Sequence, residues 1–192
     1  MSSSWEFQTA TAEETQAIAE RLGSILQAGD LLILSGELGA GKTTFTQGLG
    51  RGLGVRSGII SPTFVLVRIH PNLPDGPRPG GPDLVHVDAY RLGSGGEVDD
   101  IDLENTFDSA VTVVEWGAGL VEHLAQSRLE LELVRAVGAA ASGLDSAGLG
   151  ADDGDEARLL RVTAVGPRWD GVDLSGLPGT ANTAGLQTEP MD

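Results

Sequence analysis

The chain has 192 residues, 40% of them hydrophobic, which is the size and composition of one compact α/β domain. The absence of cysteine excludes disulfides, thiolate metal sites and cysteine nucleophiles, and no apolar run approaches the roughly 18 residues of a membrane-spanning helix. Acidic residues outnumber basic ones by 28 to 12, and a net charge of −16 disfavours direct binding to nucleic acid.

The first predicted elements are a helix and a buried strand. Thr11 begins a Thr-x-x-Glu capping box, and apolar residues such as Ile18 and Leu22 follow at helical spacing, which predicts a helix over residues 11–27. The continuous apolar run at residues 31–34 predicts a short strand that is covered on both faces.

A glycine-rich segment comes directly after this strand. Residues 36–43 satisfy the pattern G-x-x-x-x-G-K-[ST], and a helical period then continues to Gly54. Glycines let successive N–H groups turn inward around phosphate oxygens, and the following helix adds the positive end of its dipole. The chain has a single lysine, Lys42, and it lies where it would reach the β- and γ-phosphates, while the Thr43 hydroxyl would bind Mg²⁺. A plain glycine turn is the weaker alternative.

Further strands and helices alternate in the middle of the chain. Residues 59–69 form a β-rich run interrupted by a Ser-Pro-Thr turn, and two apolar strands are predicted at residues 84–88 and 111–115. An acidic segment at residues 97–107 lies between them and is predicted to be helical. This alternation predicts an α/β fold of the P-loop NTPase type, with three layers and a mainly parallel central sheet.

The pattern changes near the C-terminus. Residues 129–134 and 159–165 alternate between apolar and polar side chains, which predicts an antiparallel hairpin. Residues 136–157 are rich in small and acidic residues and are predicted to be a flexible insert in that hairpin. The predicted domain therefore covers residues 7–169, and residues 170–192 are predicted to be a disordered tail.

Two acids end the predicted strands that follow the glycine loop. Asp88 ends one strand and Glu115 the other, and parallel strands open their carboxyl ends onto one edge of a sheet. A triphosphate site needs carboxylates for Mg²⁺ and for the attacking water, so both are candidate catalytic residues. Solvated turn residues are the alternative. Thr63 is either a switch residue that senses the γ-phosphate or part of a strand with a proline bulge.

Other polar residues have weaker functional interpretations. Arg91 is expected either to stabilise transferred charge or to pair with a neighbour such as Glu97. His86 is expected to be a packed or partly exposed strand residue rather than a catalytic one. The acidic segment at residues 97–104 is expected to be a solvated helix face, with a docking surface as the alternative.

These motifs together resemble the TsaE (YjeE) family, the small P-loop ATPases of bacterial tRNA threonylcarbamoyladenosine biosynthesis. The glycine loop is generic, whereas SPT, HxDxYR and VEW in this order are typical of the family. The matching segments are GELGAGKTTFTQGL (36–49), SPTF (61–64), HVDAYRL (86–92) and VVEWG (113–117). The resemblance covers roughly residues 7–135 and a later strand that ends in TAVG.

The resemblance implies a slow ATPase that uses ATP and Mg²⁺. It implies two partners, the threonylcarbamoyl transferase and its paralogue, with tRNA reached only through the complex. A cytoplasmic location without membrane association is expected from the sequence itself, because residues 1–7 lack the basic and apolar pattern of a signal peptide and no apolar run is long enough to span a membrane. Thr43 and Glu115 would bind Mg²⁺, and either Asp88 or Glu115 would orient water. The implied nucleotide-binding residues are Thr11, Glu37, Leu38, Gly39, Ala40, Gly41, Lys42, Thr43, Thr44, Thr63 and Arg158. The long insert before Arg158 departs from the family pattern.

Two other classes compete with this prediction. A small-molecule P-loop kinase usually needs an arginine-bearing lid, and Arg128 and Arg135 belong to no cluster in the sequence. A regulatory GTPase reads guanine with Asn-Lys-x-Asp, which a chain whose only lysine is Lys42 does not contain. ATP is therefore favoured over GTP, and the kinase remains the alternative.

Overall fold

The fold is a sheet of eight strands covered on both faces, in a computed structural model that describes residues 2–94, 97, 103–135 and 157–184. In chain order the strands are β1 (Ser3–Thr9), β2 (Leu31–Ser35), β3 (Val67–His70), β4 (Asp83–Asp88), β5 (Ala110–Glu115), β6 (Arg128–Arg135), β7 (Arg158–Val165) and β8 (Thr180–Ala184). The described helices are α1 (Ala12–Gly23), α2 (Lys42–Leu53) and α3 (Glu104–Phe107), with 3₁₀ turns at Glu122–Leu124 and Pro167–Trp169. The strand order across the sheet is β3-β4-β5-β2-β6-β7-β1-β8.

Parallel pairing is confined to the middle of the sheet, where β4, β5, β2 and β6 lie side by side. At one edge β3 pairs antiparallel with β4, and toward the other edge β7, β1 and β8 follow β6 in antiparallel order. Parallel neighbours need crossover connections and antiparallel neighbours need hairpins, which agrees with the change in hydrophobic pattern near residue 129. The predicted α/β fold with a parallel centre and an antiparallel C-terminal hairpin is confirmed.

One buried cluster on each face of the sheet produces the three layers. On one face, α1 and α2 pack against the strands through side chains that include Phe7, Leu22 and Phe45. On the other face, Leu103 and Val121 lie outside the strands and are buried in a second cluster with strand residues such as Ile33. Strand β2 is covered on both sides, which explains its continuous apolar sequence.

Helices α1 and α2 approach each other closely because α2 presents glycines to α1. A Cβ atom on Gly48 would overlap the backbone carbonyl of Gln16, and one on Gly52 would overlap that of Glu20. Glycine is therefore the residue that fits at both positions. Since α2 begins at Lys42, this contact fixes the helix that follows the glycine loop.

The ends of the first two helices follow their capping residues. The Thr11 hydroxyl accepts a hydrogen bond from the Glu14 N–H at 3.2 Å, so α1 begins at the predicted cap. The helix ends at Gly23 rather than at residue 27, because the Ser24 hydroxyl donates to the carbonyl of Arg21 and the chain then turns. Gly54 has a φ of 73° and ends α2 as predicted.

The predicted strand at residues 59–69 is present only as β3. The Pro62 carbonyl accepts hydrogen bonds from the N–H groups of Val65 and Leu66 at 2.9 and 2.7 Å, which forms a turn before the strand. Leu66 has a φ of 66°, outside the range of an extended strand. Thr63 therefore lies on a loop and not on a bulged strand. Residues 98–102 of the predicted acidic helix at residues 97–107 lie outside the described residues, and α3 is its last turn.

The sheet extends beyond the predicted domain limits at both ends. In β1, Trp5 and Phe7 are buried and alternate with more exposed residues, so this segment is the strand between β7 and β8. A disordered tail is the wrong prediction for residues 170–184, because Leu174 and Leu177 are buried and β8 pairs with β1. Residues 136–156 of the predicted insert and residues 185–192 lie outside the described residues.

Packing of the segment after β7 is testable by substitution of Leu174, which is 1% exposed. We expect Leu174→Ala to lower the free energy of unfolding by about 2–5 kcal/mol, because the change removes buried methyl groups and leaves a cavity. Urea denaturation followed by circular dichroism would measure the loss. Leu73→Ala is the matched control, since Leu73 is 39% exposed and should cost well under half as much. Equal small losses for both variants would contradict the packing.

Candidate functional site

The carboxyl ends of β2, β4 and β5 meet at one edge of the sheet. Asp88 and Glu115 occupy opposed positions in the parallel β4–β5 pair, and Leu34 lies beside Glu115 in the β2–β5 pair. The glycine loop follows β2 and leads into α2. The sequence prediction that the two acids and the loop share one edge therefore agrees with the structure.

The glycine loop has backbone angles that other residues rarely adopt. Gly41, the N-cap of α2, has a φ of 103°, and Gly36 has a φ of 139°. A Cβ atom on Gly36 would also overlap the carbonyl of Leu133 in β6. These conformations wrap the loop around the N-terminus of α2, where free N–H groups and the helix dipole favour an anion.

Lys42 is held inside this loop and is only 5% exposed. Its Nζ atom donates hydrogen bonds to the carbonyl oxygens of Gly36 at 2.8 Å and Glu37 at 2.9 Å. Burial lowers the pKa of Lys42, whereas the nearby charges of Glu115 and Asp88 act to raise it. The ammonium therefore lies beside the loop with carbonyl partners and two carboxylates nearby.

The face of the Trp116 ring packs against the Lys42 ammonium group. The Lys42 Nζ atom lies 4.0 Å from the centre of the Trp116 ring, within the range of a cation–π interaction. Trp116 has a φ of 61°, an unusual angle for a residue other than glycine, and the Tyr90 ring packs against it at 5.2 Å. Trp116 was not predicted as a site residue, because its contact with Lys42 depends on this backbone angle.

Glu115 is buried at the end of β5 and has two side-chain partners. Its Oε1 atom lies 2.7 Å from Nε2 of His86 and 3.5 Å from Oγ1 of Thr43. Thr43 and Glu115 are the predicted metal ligands, and both line the same cleft. Two hard oxygen donors suit Mg²⁺, which takes its other ligands from water and substrate phosphates. The described residues contain no group of three acids or histidines that could enclose a metal without such help.

Asp88 has a different set of partners. Its Oδ2 atom accepts hydrogen bonds from the hydroxyls of Thr63 at 2.7 Å and Ser61 at 3.2 Å, and its Oδ1 atom accepts the Tyr90 N–H at 3.0 Å. The Ser-Pro-Thr loop is therefore attached to the acid at the end of β4. Thr63 was predicted to belong to the site, whereas Ser61 was not, since the sequence alone does not show which hydroxyl faces Asp88.

Two arginines of the C-terminal hairpin also contact the glycine loop. Arg135 and Arg158 are paired across β6 and β7. Arg135 donates to the carbonyl of Gly39 at 3.0 Å, and Arg158 donates to that of Ala40 at 3.1 Å. Arg158 was predicted from the family resemblance. Arg135 was missed, because the alternating pattern of the two runs does not specify the register that places it opposite Arg158.

These residues surround an open cleft of about 360 Å³. Three of the predicted nucleotide-binding residues do not line it: Thr11 caps α1, while Glu37 and Ala40 supply carbonyls to Lys42 and Arg158. Ser61, Trp116 and Arg135 line it without having been predicted. The predicted residues that line the cleft are Leu38, Gly39, Gly41, Lys42, Thr43, Thr44, Thr63, Asp88, Glu115 and Arg158.

Arg91 and Glu97 do not form the ion pair that was one expectation for them. The Arg91 guanidinium lies 5.3 Å from the centre of the exposed Phe64 ring, and the Glu97 carboxylate accepts the Gly93 N–H at 2.6 Å. His86 lies in β4 and is fully buried, which is the packed one of the two strand positions expected for it. Its contact with Glu115 was not predicted.

The strand, glycine loop and helix, with acids on neighbouring strand ends, define a P-loop protein of the α/β class. The family model described as threonylcarbamoyl adenosine biosynthesis protein TsaE matches residues 9–140. The chain belongs to the TsaE family, and the predicted resemblance is confirmed.

Individual relatives agree with this assignment. A Streptomyces coelicolor protein is 51% identical over 163 residues, covering 84% of this chain and 98% of the relative. A Bacillus subtilis protein is 36% identical over 166 residues, covering 86% and 89%. Both are named tRNA threonylcarbamoyladenosine biosynthesis protein TsaE. The crystal structure of Bacillus subtilis YdiB matches with a TM-score of 0.62 and 32% identity, covering 88% of this chain and 91% of that one.

None of the helices in the described ranges is long and apolar enough to span a membrane.

Proposed function

We propose that this chain binds and hydrolyses ATP with Mg²⁺ in the cleft at the glycine loop. The observation that carries the proposal is the convergence of Lys42, Thr43, Asp88 and Glu115 on one cleft, although they come from three different parts of the sequence. This set supplies a cation, two metal ligands and a second acid, which are the components of a phosphoryl-transfer site.

Each group has a separate task in the proposed reaction. The N–H groups of the glycine loop and Lys42 bind the β- and γ-phosphates, and Thr43 and Glu115 hold Mg²⁺. When bound, Mg²⁺ neutralises charge that develops on the phosphate oxygens. Asp88 or Glu115 orients the attacking water, and the hydroxyls of Ser61 and Thr63 hold Asp88 toward the cleft.

The proposed nucleotide is ATP, and the proposed process is formation of threonylcarbamoyladenosine next to the tRNA anticodon. The relatives' names support the process, and the lack of a second lysine argues against the guanine-reading motif. We place the chain in a cytoplasmic complex with the threonylcarbamoyl transferase and its paralogue. The net charge of −16 favours contact with tRNA through those partners rather than directly.

Reconstitution tests this function. We expect the purified transferase, its paralogue, tRNA and the threonylcarbamoyl donor to form the modified nucleoside repeatedly only when this chain and ATP are added. Mass spectrometry of digested tRNA would measure the product over time. The matched control is the chain carrying Lys42→Ala, which should not support turnover. An equal rate of modification with and without this chain would contradict the proposed process, even if ATP hydrolysis by the isolated chain were measured.

A further inference from the structure

Glu115 is a carboxylate that the fold removes from water, with an exposure of 3%. Burying a charged carboxylate costs free energy unless polar groups replace the lost water. Thr43 supplies only a long contact of 3.5 Å, whereas His86 lies 2.7 Å away. His86 is therefore the short hydrogen-bond partner of this acid among the described residues.

Strand register explains why the two side chains meet. His86 pairs with Val113 across β4 and β5, so Glu115 is its diagonal neighbour on the same face of the sheet. The His86 ring is fully buried and does not line the cleft. His86 can therefore affect a bound nucleotide only through other residues, and Glu115 is a hydrogen-bond partner of His86 that does line the cleft.

The hydrogen bonds of the ring indicate its tautomer. Nδ1 of His86 has no hydrogen-bond partner among the described residues. Oε1 of Glu115 is a carboxylate oxygen and accepts, so the hydrogen of this short contact is carried by Nε2 of His86. The contact is therefore a hydrogen bond from the His86 Nε2–H to the Glu115 carboxylate.

This hydrogen bond leaves one oxygen of Glu115 for the cleft. His86 and Thr43 both approach Oε1, and Oε2 accepts no hydrogen bond from the residues that the structure describes. Rotation of the carboxylate would break the His86 contact. His86 thus holds one oxygen and keeps the carboxylate in a single orientation.

We propose that His86 is a positioning residue that orients Glu115 for Mg²⁺ by donating its Nε2–H to Oε1. The inference deepens the proposed function and rests on it, since the metal is the proposed partner of Glu115. Removal of a residue that hydrogen-bonds a metal ligand typically lowers metal affinity or activity by about 10- to 100-fold.

Three substitutions at His86 separate positioning from packing. The amide nitrogen of His86→Gln reaches the place of Nε2, whereas the shorter side chain of His86→Asn does not, and His86→Leu removes the donor. His70→Leu is the matched control, because His70 is also buried and its ring centre lies 6.3 Å from that of His86, without a contact to Glu115.

Calorimetric titration with a slowly hydrolysed ATP analogue, in EDTA and at increasing Mg²⁺, measures the effect. We expect His86→Leu and His86→Asn to bind the analogue in EDTA within about twofold of the wild type and to need about 10-fold more Mg²⁺ for tight binding. His86→Gln should recover most of the metal response, and His70→Leu should resemble the wild type. Long-range ¹⁵N–¹H NMR of the metal-free protein should show hydrogen on Nε2 of His86.

Each contrary outcome has a distinct meaning. Equal metal responses for the Gln and Asn variants would overturn the positioning role, and this comparison remains decisive if the Leu variant does not fold. Loss of analogue binding in EDTA by all three variants would assign His86 a packing role instead. If nucleotide binding by the wild-type protein did not depend on Mg²⁺, that result would overturn both the proposed function and the role of His86.

Discussion

Lys42→Ala is expected to reduce ATP hydrolysis by at least about 100-fold, because it removes the cation that we propose contacts the transferred phosphate. The chain has no other lysine, and the Lys42 ammonium lies between two carbonyls of the glycine loop and the Trp116 ring. Phosphate release under saturating ATP and Mg²⁺ would measure the rate, and calorimetry would measure nucleotide affinity.

The control for Lys42→Ala must remove the same charge elsewhere. Arg56→Ala is suitable, because Arg56 is exposed, follows α2 and does not line the cleft. Both variants change the net charge by one, so a general electrostatic effect would appear in each. Hydrolysis by Lys42→Ala at the rate of Arg56→Ala would refute the assignment of the glycine loop as the nucleotide site.

Glu115→Gln is expected to abolish most of the Mg²⁺ dependence of nucleotide binding. The substitution keeps the size of the side chain but removes the negative charge that a hard cation requires. We expect binding in EDTA to be retained or slightly strengthened, because a carboxylate facing the phosphates is lost. Binding with Mg²⁺ should weaken by about 10- to 100-fold.

Glu130→Gln is the matched control for Glu115→Gln. Glu130 lies on β6, is partly exposed and pairs with Arg128 at 2.7 Å, away from the cleft. Its Mg²⁺ titration should match that of the wild type. If Glu115→Gln behaved in the same way, Glu115 would not be a metal ligand and Asp88 would be the remaining acid to test.

The loop and the two acids could be predicted because their positions depend on local signals. Residues 36–43 contain the whole phosphate-binding pattern in one continuous segment. Asp88 and Glu115 each end an apolar run, and the geometry of a parallel sheet then brings strand ends together. Neither inference required knowledge of how a side chain is rotated.

Contacts that depend on register or rotamers could not be predicted in this way. Arg135 reaches the glycine loop because it pairs with Arg158, and the sequence does not specify the pairing of two runs separated by a long connection. His86 was predicted to be a packed or partly exposed strand residue, but its bond to Glu115 depends on which face of β4 and β5 each residue occupies. The contact between Trp116 and Lys42 depends on the rare backbone angle of Trp116.

The first strand and the packed segment after β7 were not predicted, because short segments have weak hydrophobic patterns. The alternation of Trp5 and Phe7 is a two-residue pattern, which is too short to identify a strand by periodicity. Leu174 and Leu177 are isolated apolar residues in a polar segment, yet both are buried in the same cluster as α1 and α2. The structure of this segment therefore depends on tertiary packing and not on local propensity.

The hairpin of β6 and β7 has an evolutionary consequence. Its strands pair continuously from Arg128 opposite Val165 to Arg135 opposite Arg158, and this last pair contacts the glycine loop. Connections between antiparallel strands tolerate insertions well, because added residues leave the paired backbone unchanged. Lineages can therefore lengthen the segment between the two arginines while the sheet and the loop stay intact. Each such insertion would begin and end beside the candidate cleft, because Arg135 and Arg158 both line it.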